Sequence, residues 1–276
     1  MWDQDDHVAE IRRAPDEARG RVTRESAAAM SHVELLAEVA RALRSAKHVA
    51  VLTGAGVSAE SGIPTFRDAL SGLWARFRPE ELATPEAFRR HPKLVWDWYA
   101  WRRSLVANAQ PNPGHIALAE LERRVARLTL ATQNVDGLHQ RAGSSRVIEL
   151  HGNLARVKCS RELTVISQWE ESGDGPPPCP RCGAPLRPDV VWFGEPLPPE
   201  SFAEAVDAAA SCDLFLSVGT SALVEPAASL PRMALESGAM VVVVNPDAGT
   251  MPPAPRLHHL VGRAGEILPE LVKGAS

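Results

Sequence analysis

HVAVLTGAGVSAESGIPTFRD, residues 48–68, sets the reading of the whole chain. Its first six residues are a short apolar run of the kind that forms a strand buried on both faces. A glycine turn follows directly. Gly54 and Gly56 permit a tight bend and a close approach of main-chain N–H groups to a pyrophosphate, which the N-terminus of a following helix can also stabilise. Taken alone, a G-x-G-x-x-A pattern suits a purely structural turn equally well.

Working outward, Val33, Leu36, Ala40 and Leu43 recur at helical spacing before the strand. Downstream, RLTLAT (127–132), RVIEL (146–150), DLFLSV (213–218) and MVVVVN (240–245) are near-continuous aliphatic runs, separated by helical patterns such as HIALAELERRV and FAEAVDAAA. Strands apolar on both faces and alternating with helices imply a parallel sheet covered on both sides. The expected fold class is therefore α/β, a Rossmann-like doubly wound sheet. Two stretches interrupt the rhythm, 68–110 with its tryptophans and the Gly/Pro-rich 153–190. They are expected to form a smaller module, helical and zinc-ribbon-like, leaving 31–67, 111–152 and 191–276 to the large domain. Residues 1–30 are polar, without a sustained apolar period, and read as a mobile leader in which Met30 is an alternative start.

The 276 residues are 45% hydrophobic and 23% charged, enough aliphatic material for a sizeable core. A net charge of −4 and a pI near 6.2 supply no basic field for nucleic acid. No apolar run approaches the length that spans a bilayer, and no signal-peptide pattern opens the chain, so a cytoplasmic protein is expected. Of four cysteines, Cys159, Cys179 and Cys182 lie close in sequence, which in a reducing compartment favours metal ligation. Cys212 stands apart, as an inert core thiol.

The glycine loop is joined by TQNVDGLH (132–139), ELHGNL (149–154), VVWFGE (190–195), GTS (219–221) and VNP (244–246). This ordered set resembles the sirtuins. The resemblance runs from about residue 33 to 272 and implies protein-lysine deacylation with NAD as a consumed co-substrate, on a Rossmann domain with a small zinc-bearing domain. By the same resemblance Gly54, Ala55, Gly56 and Ser58 cradle the NAD phosphates, while Thr65, Phe66 and Arg67 belong to a loop that closes over the nicotinamide ribose. Gln133, Asn134 and Asp136 are implied to hold nicotinamide and its ribose. Gly219, Thr220, Ser221, Asn245 and Ala264 resemble the adenosine pocket. His151, at a strand's carboxyl end, is the implied general base, and an imidazole titrating near neutrality suits that task. Val191, Trp192 and Phe193 resemble the segment whose main chain pairs with a substrate peptide and whose aromatic rings flank the lysine tunnel. The implied partners are acylated lysine side chains of other proteins. Protein ADP-ribosyl transfer from the same NAD site is the alternative activity.

Two features bear on chemistry beyond the motif set. Cys179-Pro-Arg-Cys182 is one metal knuckle, but its counterpart reads Cys159-Ser-Arg-Glu162, with Glu where a fourth cysteine is expected. Three thiolates with Glu162, three thiolates with water, or no metal are all open, and a structural Zn2+ is the expectation. In VWDWYAWRR (95–103) the chain's single tyrosine, Tyr99, precedes Arg102 by three residues. A shared helix face would let a phenol and a guanidinium converge on one carboxylate, as a succinyl or malonyl group offers. Sirtuins that remove such groups are similar to this chain in Y-x-x-R and in the small Ala83 of ELATP.

Overall fold

The structure is a computed structural model that describes residues 30–65, 76–170, 173–221, 223–247 and 251–275. The leader 1–29 and the loop residues Phe66 and Arg67 lie outside them. In chain order the elements are α1 His32–Ser45, β1 Val49–Thr53, α2 Ala55–Ala59, α3 Pro85–Arg90, α4 Pro92–Asn108, α5 Pro113–Arg124, β2 Leu128–Thr132, α6 Leu138–Arg141, β3 Val147–Glu149 and β4 Gly152–Cys159. There follow β5 Val165–Ile166, β6 Leu186–Val190, α7 Pro199–Ser211, β7 Leu214–Val218, α8 Leu230–Glu236, β8 Met240–Asn245, β9 Leu257–Val261 and α9 Ala264–Gly274.

The large sheet runs β3-β2-β1-β7-β8-β9, parallel throughout. Numbered within that sheet alone, this is the order 3-2-1-4-5-6 of a doubly wound dinucleotide-binding fold, whose chain reverses direction between β1 and β7. Alternation along β1 shows why the strands read as continuous apolar runs. Val49 and Val51 face a core built with Leu35, Val39 and Leu43 of α1, Leu118 and Leu121 of α5 and Leu268 of α9. Ala50 and Leu52 face the opposite core, with Ala205 and Ala209 of α7 and Ala234 of α8. With helices on both faces, both sets of alternating strand positions are predominantly apolar. The expected parallel α/β architecture is present, with strand bounds within a residue or two.

β9 went unread because LHHLV places two histidines in a five-residue edge strand, where half of the positions need not be buried. The stretch 153–190 holds a second sheet, ordered β5-β4-β6 and antiparallel. Ser31 caps α1 through a capping box with Glu34, starting that helix one residue before the apolar period does.

Candidate functional site

The proposed site residues gather where β1, β2, β3, β7 and β8 end, at the crevice that the reversal of strand order opens. Gly54 follows β1, Gln133 follows β2, His151 lies in the turn from β3 to β4, Gly219 follows β7 and Asn245 ends β8. Ala264 begins α9 and is buried. Thr65 is half-buried and Ser221 exposed.

The glycines do something other than the turn pattern suggests. Gly54 N–H donates to Val218 O at 3.0 Å and Gly56 N–H to Gly219 O at 2.8 Å. A Cβ on Gly56 would stand 2.7 Å from Gly219 O, and one on Gly219, at φ +61, would stand 2.4 Å from the Val57 nitrogen. These glycines thus form a seam that lets two loop main chains touch across the crevice, and the N–H groups of Gly54 and Gly56 are committed to it, while that of Gly219 donates to Val244 O. Ala55 between them is exposed to the crevice mouth.

Beneath the seam lies a buried polar row. Ser58 Oγ donates to Asp136 Oδ2 at 2.7 Å, and Asn134 Nδ2 donates to Ser58 Oγ and to Gly54 O, both at 3.0 Å. Asp136 Oδ1 accepts from the Leu138 N–H at 2.9 Å. Gln133 Nε2 donates to Thr220 Oγ1 at 3.0 Å, linking the β2 and β7 ends. The row continues inward through Thr53 and Thr132, 2.7 Å apart, to His139 Nε2 at 2.9 Å from Thr53 Oγ1. The His139 ring packs 4.8 Å from that of His115. Burial pushes His139 down to about 3 and His115 down to about 4, so both stay neutral and support the row without adding charge. Neither was singled out in the sequence, although His139 ends the quoted TQNVDGLH.

His151 is half-buried, and its Nδ1 lies 3.1 Å from Gln133 O. A carbonyl only accepts, so Nδ1 carries the hydrogen and Nε2 is left with a lone pair. Burial lowers the pKa of this imidazole, against the pull of that carbonyl, which keeps Nε2 available near neutral pH. Gly152 fixes the turn: at φ +83, a Cβ there would stand 2.0 Å from Asp189 O on β6.

Of the predicted acyl-binding residues, Ala83, Tyr99 and Trp192 share one apolar cluster, whereas Val191 packs against the core under α7 and α8. Tyr99 Oη accepts a hydrogen bond from Trp192 Nε1 at 3.0 Å. Burial pushes the Tyr99 phenol up to about 12, the charge of Arg102 acting the other way. Arg102 lies with its guanidinium carbon 5.2 Å from the Trp98 ring centroid. Burial lowers its pKa, with Tyr99 and Asp136 acting the other way. Phe193 is exposed, and its N–H donates to Ala83 O at 2.9 Å. The N–H of Val191 donates to His151 O and that of Trp192 to Glu195 Oε2. With these three donors committed, a peptide strand laid here would have to donate to the segment's carbonyl groups.

The sulfur atoms of Cys159, Cys179 and Cys182 lie within 4.8 Å of one another. The two knuckles have the same geometry: Leu163 N–H donates to Cys159 O at 3.0 Å, and Gly183 N–H to Cys179 O at 2.9 Å. Leu163 adopts φ +58 where Gly183 has φ +72. Glu162 therefore occupies in its turn the place Cys182 holds in the other. Its N–H reaches Cys159 Sγ at 3.4 Å, and its carboxylate lies 3.4 Å from Arg181 Nε. Cys212 is buried, and burial pushes its thiol up to about 11, which leaves it inert.

Residues 54–226 match the Sir2 family model. A curated relative, NAD-dependent protein deacylase 1 of Pseudomonas aeruginosa, is 54% identical over 245 residues, covering 86% of this chain and 98% of the relative. Among solved structures, a Sir2 homologue in complex with NAD superposes with a TM-score of 0.80 at 47% identity, over 86% of this chain and 93% of the other. Sir2Af2 bound to a myristoylated histone peptide superposes with a TM-score of 0.70 at 37% identity, over 87% and 95%.

Proposed function

Since this chain belongs to the Sir2 family and is an NAD-dependent protein deacylase acting on acylated lysine side chains, we propose which of its residues do the work and which acyl groups it prefers. The observation that carries the assignment is His151, whose Nε2 lone pair is freed by the Nδ1 contact to Gln133 O at the crevice of the parallel sheet. NAD, when bound, supplies the ribose carbon that receives the acyl oxygen as nicotinamide departs. Gly54, Ala55, Gly56 and Ser58 position its phosphates, and Thr65, with Phe66 and Arg67 outside the described residues, is assigned to the nicotinamide ribose. Gly219, Thr220, Ser221, Asn245 and Ala264 take the adenosine end, and Gln133, Asn134 and Asp136 the nicotinamide ribose. The buried network of Ser58, Asn134 and Asp136 fits a hydroxyl-rich ligand, because its donors and acceptors are already held in place. His151 Nε2 then takes a proton from a ribose hydroxyl, and water completes release of free lysine and O-acyl-ADP-ribose. ADP-ribosyl transfer is not favoured, since the relatives at this identity are deacylases.

Tyr99 and Arg102 are assigned to an acyl carboxylate, with Ala83 leaving the room. A protonated phenol and a guanidinium offer two donors to one anion, and their shared burial raises the value of each bond. Val191, Trp192 and Phe193 flank the acyl-lysine. Segments 31–67, 111–152 and 191–276 make the NAD-binding domain, 68–110 and 153–190 the smaller one, and the protein works in the cytoplasm. No helix among the described residues is long and apolar enough to cross a membrane. An acyl-peptide panel with NAD, read by mass spectrometry, tests the preference. Succinyl and malonyl peptides should be cleaved with higher kcat/KM than the crotonyl control, and equal or lower values would refute it.

The three thiolates fit a structural zinc, which would tie β4 to the loop before β6. Protein prepared without chelator should carry about one zinc per chain, and stripping it should lower the melting temperature, because in small metal modules binding energy is folding energy. With the Glu162 carboxylate facing Arg181, Glu162→Ala should keep the metal, water completing the site. Elemental analysis showing no zinc would defeat the assignment, and loss only in the variant would make Glu162 the fourth ligand.

A further inference from the structure

We propose that Trp192, clamped by the Arg187–Glu195 pair, is a positioning residue that sets acyl selectivity by fixing Tyr99 as a hydrogen-bond donor. The inference rests on the reading of Tyr99 and Arg102 as the carboxylate subsite. Arg187 is 3% exposed, and its two terminal nitrogens bond the two oxygens of Glu195 at 2.6 and 2.7 Å. One of those nitrogens also donates to Val190 O at 3.0 Å. The guanidinium carbon lies 3.4 Å from the centroid of the Trp192 ring, a stacked contact. Glu195 in turn accepts the Trp192 main-chain N–H at 2.9 Å. A single ion pair thus holds the tryptophan by its backbone and by its ring face, while Phe88 packs on the indole with ring centroids 5.3 Å apart.

A bidentate ion pair with a buried partner is costly to desolvate and is weak evidence for stability, so its use here is to fix a geometry. The geometry it fixes is the direction of one N–H bond. An indole N–H can only donate, whereas a phenol oxygen has one proton and acceptor lone pairs. In the 3.0 Å contact between Trp192 Nε1 and Tyr99 Oη the tyrosine must accept. Its own proton is left for a second group, and burial keeps the phenol protonated. An acyl carboxylate accepts that proton; an acetyl methyl has no use for it. Tyr99 then acts together with the charge of Arg102 on one anion.

The test is a double-mutant cycle on Trp192→Phe and Tyr99→Phe, read as the ratio of succinyl to acetyl kcat/KM. Phenylalanine keeps a ring over Arg187 and deletes only the indole and its donor. Losing a hydrogen bond to a charged group changes such a ratio by about 10- to 150-fold and losing a neutral one by about 2- to 13-fold, so Tyr99→Phe should lower it by the first order and Trp192→Phe, which removes only the neutral bond that orients the hydroxyl, by the second. If Trp192 acts through the tyrosine, adding Trp192→Phe to Tyr99→Phe should lower it no further, because no hydroxyl remains to orient. Melting temperatures give a second readout. Tyr99→Phe strands a buried N–H and should lower the midpoint, and Trp192→Phe should partly restore it. Should Trp192→Phe not fold, the Trp192 indole N–H resonance in labelled wild-type protein replaces it, shifting with succinyl-lysine peptide and not with acetyl-lysine peptide. A multiplicative effect of the two substitutions, or an indole resonance indifferent to the acyl group, would overturn the positioning role. A ratio unmoved by Tyr99→Phe would overturn the subsite reading itself, and the proposal with it.

Discussion

His151→Ala is expected to lower deacylase kcat/KM by a factor of about 10² or more, the usual contribution of a positioned general base. NAD should still bind, because among the described residues the imidazole hydrogen-bonds only Gln133 O, through Nδ1, and the polar row built on Ser58, Asn134 and Asp136 does not include it. Isothermal titration with NAD and a nicotinamide-release assay separate the two effects. Activity within tenfold of wild type would sink the assignment. The pH dependence has a defined sign. The base is active when neutral, and burial lowers its pKa from the ordinary histidine value of 6.5. Activity should therefore fall only as pH drops below 6.5 and stay flat above it. A midpoint above 6.5 would mean that another group carries the proton.

Arg102→Met is expected to lower the succinyl-to-acetyl ratio of kcat/KM by about 10- to 150-fold, since a hydrogen bond to a charged group contributes roughly 1.5 to 3 kcal/mol. Methionine keeps an unbranched stem against Trp98 while the guanidinium is removed. Reading the ratio matters because the same charge acts on Asp136 just past the end of β2. A disturbance there would touch both substrates alike and cancel. If both activities fall in parallel, and the melting temperature drops with them, then α4 is only a packing helix and the acyl preference is wrong.

The two variants probe residues that the chain revealed at different depths. His151 was legible from ELHG after an apolar run, since local order alone puts it at a strand's carboxyl end. The tautomer that leaves Nε2 with a lone pair was not, because Gln133 O arrives from a different strand. Tyr99 and Arg102 were legible as a helical i, i+3 pair. Trp192, read as a tunnel wall, proved to be a donor to Tyr99 held from behind by Arg187, which did not stand out in a Pro-rich stretch, and by Glu195, which ends the quoted VVWFGE but was given no role. The glycine loop shows the same division. Its sequence announces a tight turn, but its N–H groups answer to carbonyls of the β7 loop, more than 160 residues away in the chain.

The sequence by itself determined the parallel α/β class, the positions of β1, β2, β3, β7 and β8, and the motifs that mark the crevice. Burial on both faces of a strand, or on one stripe of a helix, writes its period into neighbouring residues. Only the tertiary structure decided the strand order, the antiparallel β5-β4-β6 sheet, the shared geometry of the two cysteine knuckles and the proton on each polar atom of the site. Those depend on which distant main chains meet, and a hydrogen bond or a close glycine contact between such segments leaves no periodic trace in either one.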